Sequence, residues 1–172
     1  GEKFYHQKVE QFNNWLLKNT VIAEGEIINV LTKEQIEFWE ENGYLHLTEI
    51  IPPEDCDGVV DLICRELGVN LADPNSWYPT NDKLQGLMLQ LYQGIAIEKT
   101  RKNCNVFKLF AQLYGTNKLL ANTEKVSYNP PETDSFKFKG STLHWDINFD
   151  IGVRYSIQGL VYLDDVPANR GA

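Results

Sequence analysis

Ser141-Thr142-Leu143-His144-Trp145-Asp146-Ile147-Asn148 is the stretch on which the reading of this chain turns. Apolar and polar residues alternate through its middle, and on a β-strand successive side chains point to opposite faces, so the pattern predicts a strand over 143–148. Leu143, Trp145 and Ile147 then share one face, and His144 and Asp146 the other. One ring nitrogen and one carboxylate oxygen converge on a single point. They are two of the three groups in the facial triad, two His and one carboxylate, that holds non-haem Fe(II) with positions left open opposite. A half-buried strand with its polar side in solvent shows the same alternation. The rest of the chain has to decide between the two.

Downstream, Tyr155 to Leu163 reads as another strand. Ile157, Gly159, Val161 and Leu163 alternate there with Gln158, Leu160 and Tyr162, so both faces are partly apolar, as in a strand inside a closed sheet. Upstream, Leu119 to Tyr128 is strand-like, and Asn129-Pro130-Pro131-Glu132-Thr133-Asp134 is a loop by its turn chemistry.

Before Gly115 the periodicity is helical. Tyr5, Val9, Phe12 and Leu16 recur at i, i+4, i+7 and i+11 and predict a first amphipathic helix. Thr32-Lys33-Glu34-Gln35 has the form of a capping box and opens a second helix carrying Ile36, Phe38 and Trp39, closed at Asn42-Gly43. Tyr44-Leu45-His46-Leu47 then reads as a short strand; a lone His in such a strand is more often a hydrogen-bonded structural residue than a ligand, and His46 is left unassigned. Pro52-Pro53-Glu54-Asp55 suits a helix first turn, and Cys56, Val59, Val60, Ile63 and Leu67 lie on one face of the helix that runs to Gly68. That helix explains Cys56 and Cys64 better as helix residues than as metal ligands. Residues 69–81 form a loop. Leu84, Leu87, Met88, Leu91 and Ile95 have helical spacing interrupted by Gly86 and Gly94, and Val106, Leu109, Phe110 and Leu113 define another helix ended by Gly115.

Helices first and strands afterwards predict an α+β fold, helices packed outside an antiparallel sheet or barrel. A chain of 172 residues, 42% hydrophobic, suits one domain over 1–172, mainly helical over 1–115 and strand-bearing over 116–172. The formal net charge of -8 argues against a nucleic-acid surface, because neutralising phosphates needs clustered Lys and Arg. The cysteines, Cys56, Cys64 and Cys104, are odd in number and lack C-x-x-C spacing, which favours free thiols in a reducing compartment. With no basic-apolar leader and no apolar run of membrane-spanning length, the expectation is a soluble cytoplasmic protein with no membrane partner.

Taken in order, Leu31-Thr32-Lys33-Glu34-Gln35, Glu41-Asn42-Gly43-Tyr44, Tyr114-Gly115, Asn129-Pro130-Pro131, His144-Trp145-Asp146, Gln158 and Leu163-Asp164-Asp165-Val166 leading to Asn169-Arg170-Gly171 resemble the phytanoyl-CoA dioxygenase family. The resemblance runs from about residue 30 to the end and rests on the order of individually unspecific motifs. It implies a double-stranded β-helix, a jelly-roll of the cupin-like kind, with N-terminal helices outside the barrel. It also implies an Fe(II)- and 2-oxoglutarate-dependent dioxygenase that hydroxylates an unactivated C–H bond of a small molecule with O2, releasing succinate and CO2. His144 and Asp146 are the implied metal ligands. Related halogenating enzymes carry a small residue where Asp146 stands, so its presence favours hydroxylation.

The resemblance assigns Lys125, Gln158 and Leu160 to the cosubstrate pocket. Lys125 falls where a side chain reaches 2-oxoglutarate, although a solvated surface Lys fits the same position. Gln158 matches a polar position facing the iron, and Leu160 stands where many members carry Trp, which alters the pocket wall. Asn148 and Arg154 lie close enough to the motif to line the entrance. In the family the second His, and then an Arg that pairs with 2-oxoglutarate, follow the Asp-Asp-Val and Asn-x-Gly segment. Both are expected beyond residue 172, in a natural chain that continues the barrel. The alternatives are a non-catalytic ligand-binding or interaction domain of the same fold without the complete triad, and a cupin-like metal enzyme that does not use 2-oxoglutarate.

Overall fold

A computed structural model of the chain describes residues 29–80, 84–85, 88–122, 125–137, 144, 146, 150 and 156–166. The expected first helix, with Tyr5 to Leu16, lies outside these residues. So does the strand over 143–148, apart from His144 and Asp146. In chain order the described elements are α1 (Lys33–Asn42), α2 (Pro53–Leu67), a 3-10 turn (Pro74–Ser76), β1 (Leu84–Gln85), β2 (Met88–Leu89), α3 (Ile95–Arg101), α4 (Cys104–Tyr114) and β3 (Val126–Ser127). They fall into two compact units, one of Gly1–His46 with Cys104–Leu120 and one of Leu47–Asn103 with Ala121–Ala172.

In the first unit the capping box at α1 forms as its sequence dictates. The Thr32 hydroxyl accepts from the Gln35 N–H at 3.2 Å, and the Gln35 side chain accepts from the Thr32 N–H at 2.9 Å. At the other end the Gly43 N–H donates to the Trp39 carbonyl at 2.8 Å. Tyr44–Leu47 does not form the expected strand; Tyr44 instead meets the Phe38 ring edge-on, with centroids 5.2 Å apart. Val106, Leu109, Phe110 and Leu113 of α4 are half-buried, and Ala111 between them is 1% exposed. The helix ends with the Thr116 N–H on the Ala111 carbonyl and the Gly115 N–H on the Gln112 carbonyl, the paired bonds of a Schellman motif. Gln112 also fixes the entry to α1. Its side-chain oxygen accepts from the N–H groups of both Val30 and Leu31 at 2.8 Å, while its amide donates to the Leu31 carbonyl at 3.3 Å.

The second unit is built on α2. Pro53 begins the helix where no N–H partner is needed, with Glu54 and Asp55 in the first turn. Gly68 closes it at φ 70, a conformation that favours glycine. Val59, Leu62, Ile63 and Leu67 are buried, so the core face is the predicted one with Leu62 added and Val60 at its edge. They pack with Val69, Leu89, Leu91, Ile97 and Val126 into one core, in which Leu89 and Ile97 are the most enclosed side chains.

The helical spacing from Leu84 to Ile95 does not give one helix. Leu84 pairs with Leu89 and Gln85 with Met88 in an antiparallel hairpin, and β2 pairs on with β3 through Met88–Ser127 and Leu89–Val126. A helix through this stretch carries two internal glycines, each costing about 1 kcal/mol. The sheet buries Leu89 and Leu91 without that cost. Only after Gly94 does the chain turn helical, as α3. There α2 and α3 run close: a Cβ on Gly58 meets the Ala96 Cβ at 3.6 Å, and Lys99 reaches Asp55 at 3.5 Å.

Beyond the core, the loop after α2 is tied to the 128–136 segment. The Tyr128 hydroxyl donates to the Trp77 carbonyl at 3.0 Å, and the Tyr78 hydroxyl to the Pro131 carbonyl at 2.8 Å. The Tyr78 and Phe136 rings lie 5.5 Å apart. Among the described residues, only Val126–Ser127 of the strand expected over 119–128 is paired, and residues 156–163 form no ladder.

Candidate functional site

Two anchors on the second unit's core carry the site. Lys125 directly precedes β3, whose Val126 is buried against β2. Leu163 packs on the same core and tethers the segment that bears Gln158. Lys125 and Gln158 themselves are exposed, as their polar ends require.

Asp146 is the centre of the arrangement. Its Oδ1 lies 3.1 Å from His144 Nε2, and its Oδ2 accepts from the Gln158 amide at 2.8 Å. The side chains of His144 and Asp146 are 54% and 61% exposed. The Gln158 hydrogen bond holds the Asp146 carboxyl below the usual carboxylate range, helped by the charges of His144 and, more weakly, Lys125. Asp146 is therefore a carboxylate at neutral pH, an acceptor with both oxygens already directed. With a proton on Nε2 the imidazole donates to Oδ1. With Nε2 deprotonated, the same two atoms are a nitrogen and an oxygen donor side by side.

Their separation fits a cation. Two ligand atoms in neighbouring positions, each about 2.1 Å from one metal ion at a right angle, lie about 3 Å apart. The observed 3.1 Å matches that spacing and is equally the length of an ordinary N–H···O hydrogen bond. The outer oxygen of Asp146 is hydrogen-bonded, as ligating carboxylates usually are. A third protein donor is not supplied from the described residues, among which no group of three or more His, Cys, Asp or Glu converges. The residues present thus suit two positions of a metal site and leave the others to further ligands.

Of the residues singled out from the sequence, His144, Asp146 and Gln158 are in contact, and Lys125 lies within electrostatic reach of Asp146. Leu160 is 74% exposed. Asn148 and Arg154 lie outside the described residues. His46 is exposed in the first unit. Cys56, Cys64 and Cys104 are free thiols, and burial pushes the Cys56 and Cys64 thiols up, aided by neighbouring carboxylates, which makes them poor ligands and nucleophiles.

What the sequence could not show is the partner of Gln158. An amide facing a metal pocket can meet a cosubstrate, a substrate or a ligand side chain, and a spacing of twelve residues favours none of these. The ties from Trp77 and Tyr78 to the 128–136 segment were equally unsignalled, because they join residues more than fifty positions apart.

Compared with protein-family models, with curated proteins and with solved structures, the chain gives no match.

Proposed function

We propose that the chain is part of an Fe(II)- and 2-oxoglutarate-dependent dioxygenase that hydroxylates a small-molecule substrate, built on a double-stranded β-helix and related to the phytanoyl-CoA dioxygenase family. The observation that carries the reading is the 3.1 Å approach of His144 Nε2 to Asp146 Oδ1, with the second carboxylate oxygen held by Gln158. His144 and Asp146 would hold the metal, and Lys125, directly before β3, would attract the dianionic cosubstrate. When bound, iron, 2-oxoglutarate and O2 supply the oxidation: one oxygen atom ends in succinate as CO2 is lost, and the other enters a C–H bond as hydroxyl. The chain's own part is to keep Asp146 ionised and oriented, and to present the His144 nitrogen without its proton. Unpaired thiols agree with a reducing compartment, and we place the protein in the cytoplasm. Among the described residues no helix is long and apolar enough to cross a membrane.

The test is anaerobic addition of Fe(II) and then 2-oxoglutarate to the full natural protein, followed by visible absorption. Chelation of iron by the cosubstrate produces a weak charge-transfer band, which Asp146→Ala abolishes. No band in the wild type, or an undiminished band in the variant, sinks the proposal.

A second reading has its own observation. His144 and Asp146 already satisfy each other and are more than half exposed, as in a non-catalytic binding or interaction domain whose polar pair is structural. Under that reading neither Fe(II) nor Co(II) protects the protein against thermal unfolding.

A further inference from the structure

Asp146 has two oxygens, and the structure gives them different partners. Oδ1 faces His144 Nε2 at 3.1 Å, while Oδ2 takes the Gln158 amide N–H at 2.8 Å. We propose that Gln158 is a positioning residue that limits Asp146 to one metal-facing oxygen and so favours a transition-metal ion over calcium. The inference rests on His144 and Asp146 being ligands.

The argument is geometric. Calcium takes six to eight oxygen ligands and commonly draws both oxygens of a carboxylate. Presenting both oxygens to one ion sets that ion in competition with the Gln158 amide for Oδ2. Fe(II), Co(II) and their neighbours accept imidazole nitrogen beside a single carboxylate oxygen. The atoms that face each other here, one nitrogen and one oxygen, are that pair.

Gln suits the task better than a charged residue. Its amide donates without carrying charge, so Oδ2 is held while the carboxylate keeps its full negative charge for the ion. A Lys in its place would neutralise part of that charge, and a Glu would repel Asp146. The side chain reaches Asp146 from the segment anchored by Leu163, so the carboxylate is held by a part of the chain twelve residues further along. Outer partners of this kind change metal affinity by about tenfold to hundredfold. The bond here is exposed, so the lower end applies.

The experiment compares the full-length wild type with Gln158→Leu and with Gln158→Met, a side chain of matched length without a donor. Co(II) affinity is read from the visible absorption of the bound ion, Ca(II) is the competitor, and far-UV circular dichroism checks the fold. The expected result is a roughly tenfold loss of Co(II) affinity in both variants, with Ca(II) competing more effectively than in the wild type. Unchanged Co(II) affinity and an unchanged Co(II)-to-Ca(II) ratio in a folded variant overturn the role of Gln158 while leaving the two ligands standing. Failure of the wild type itself to bind Co(II) overturns both.

Discussion

Gln158 donates its amide hydrogen to Asp146 Oδ2 at 2.8 Å, joining two exposed side chains twelve residues apart. That one bond orients the carboxylate whose other oxygen meets His144, and it is the largest cause of the lowered Asp146 pKa. A chain segment tethered through Leu163 thereby sets the geometry of a pair that lies earlier in the sequence.

Lys125 adds a weaker charge to the same point. If it receives the cosubstrate, Lys125→Met raises KM for 2-oxoglutarate by up to about fivefold with kcat nearly unchanged, because an exposed charge pair is worth at most about 1 kcal/mol. Succinate formation at varied 2-oxoglutarate measures it. An unchanged KM makes Lys125 a solvated surface charge.

Gln112 satisfies two backbone donors at once, and its loss leaves the N–H groups of Val30 and Leu31 without that acceptor. Gln112→Ala is expected to lower stability by about 1–3 kcal/mol, seen as a lower urea midpoint. Gln112→Glu keeps an acceptor but loses the donor to Leu31, and its midpoint should fall in between.

Two glycines on the α2–α3 contact respond in opposite directions. Gly94 has φ 148, and a Cβ there lies 2.9 Å from Leu62 Cδ2, so Gly94→Ala is expected to cost about 1–3 kcal/mol. Gly58 sits inside α2 with the nearest atom, Ala96 Cβ, at an ordinary 3.6 Å. Gly58→Ala should stabilise the protein by about 0.4–1 kcal/mol. Chemical denaturation of the two variants tests both signs, and equal effects would refute this account of the contact.

Stability should fall on the alkaline side. Burial raises Tyr128 above its ordinary 10.0 and Cys56 and Cys64 above 9.0. The unfolded chain therefore loses these protons first, so over that range the folded state retains more protons than the unfolded one. By linkage the stabilisation is complete below about pH 9 and is lost as pH climbs through the raised values. Tyr128→Phe removes the phenol's share of that slope, and at neutral pH it costs about 1 kcal/mol through the hydrogen bond to the Trp77 carbonyl. Denaturation midpoints measured from about pH 8 to about pH 11 decide it.

Local chemistry was legible in the chain. The capping box at Thr32, the α2 face from Val59 to Leu67, and the helix ends at Gly43, Gly68 and Gly115 each depend on residues within a few positions of one another. Pairing was not. Leu84 to Ile95 has helical spacing, yet it forms a hairpin and then a helix, because β3, far later in the chain, offers Leu89 and Met88 a partner. Conversely, the alternation in Tyr44–Leu47 found no ladder, since a strand needs a neighbour as well as a pattern.

The candidate site divides in the same way. The alternation around Trp145 was enough to nominate His144 and Asp146 as a pair, because their spacing alone brings them to one side of an extended chain. The partner of Asp146 Oδ2 depended on where the later segment places Gln158. The sequence by itself determined the residue types and the short-range geometry; the direction of the Gln158 amide, toward a carboxylate twelve residues earlier, was decided only by tertiary structure, through the packing of Leu163 on the core. Hydrogen bonds between distant segments have no local signature. They exist only once burial has brought those segments together.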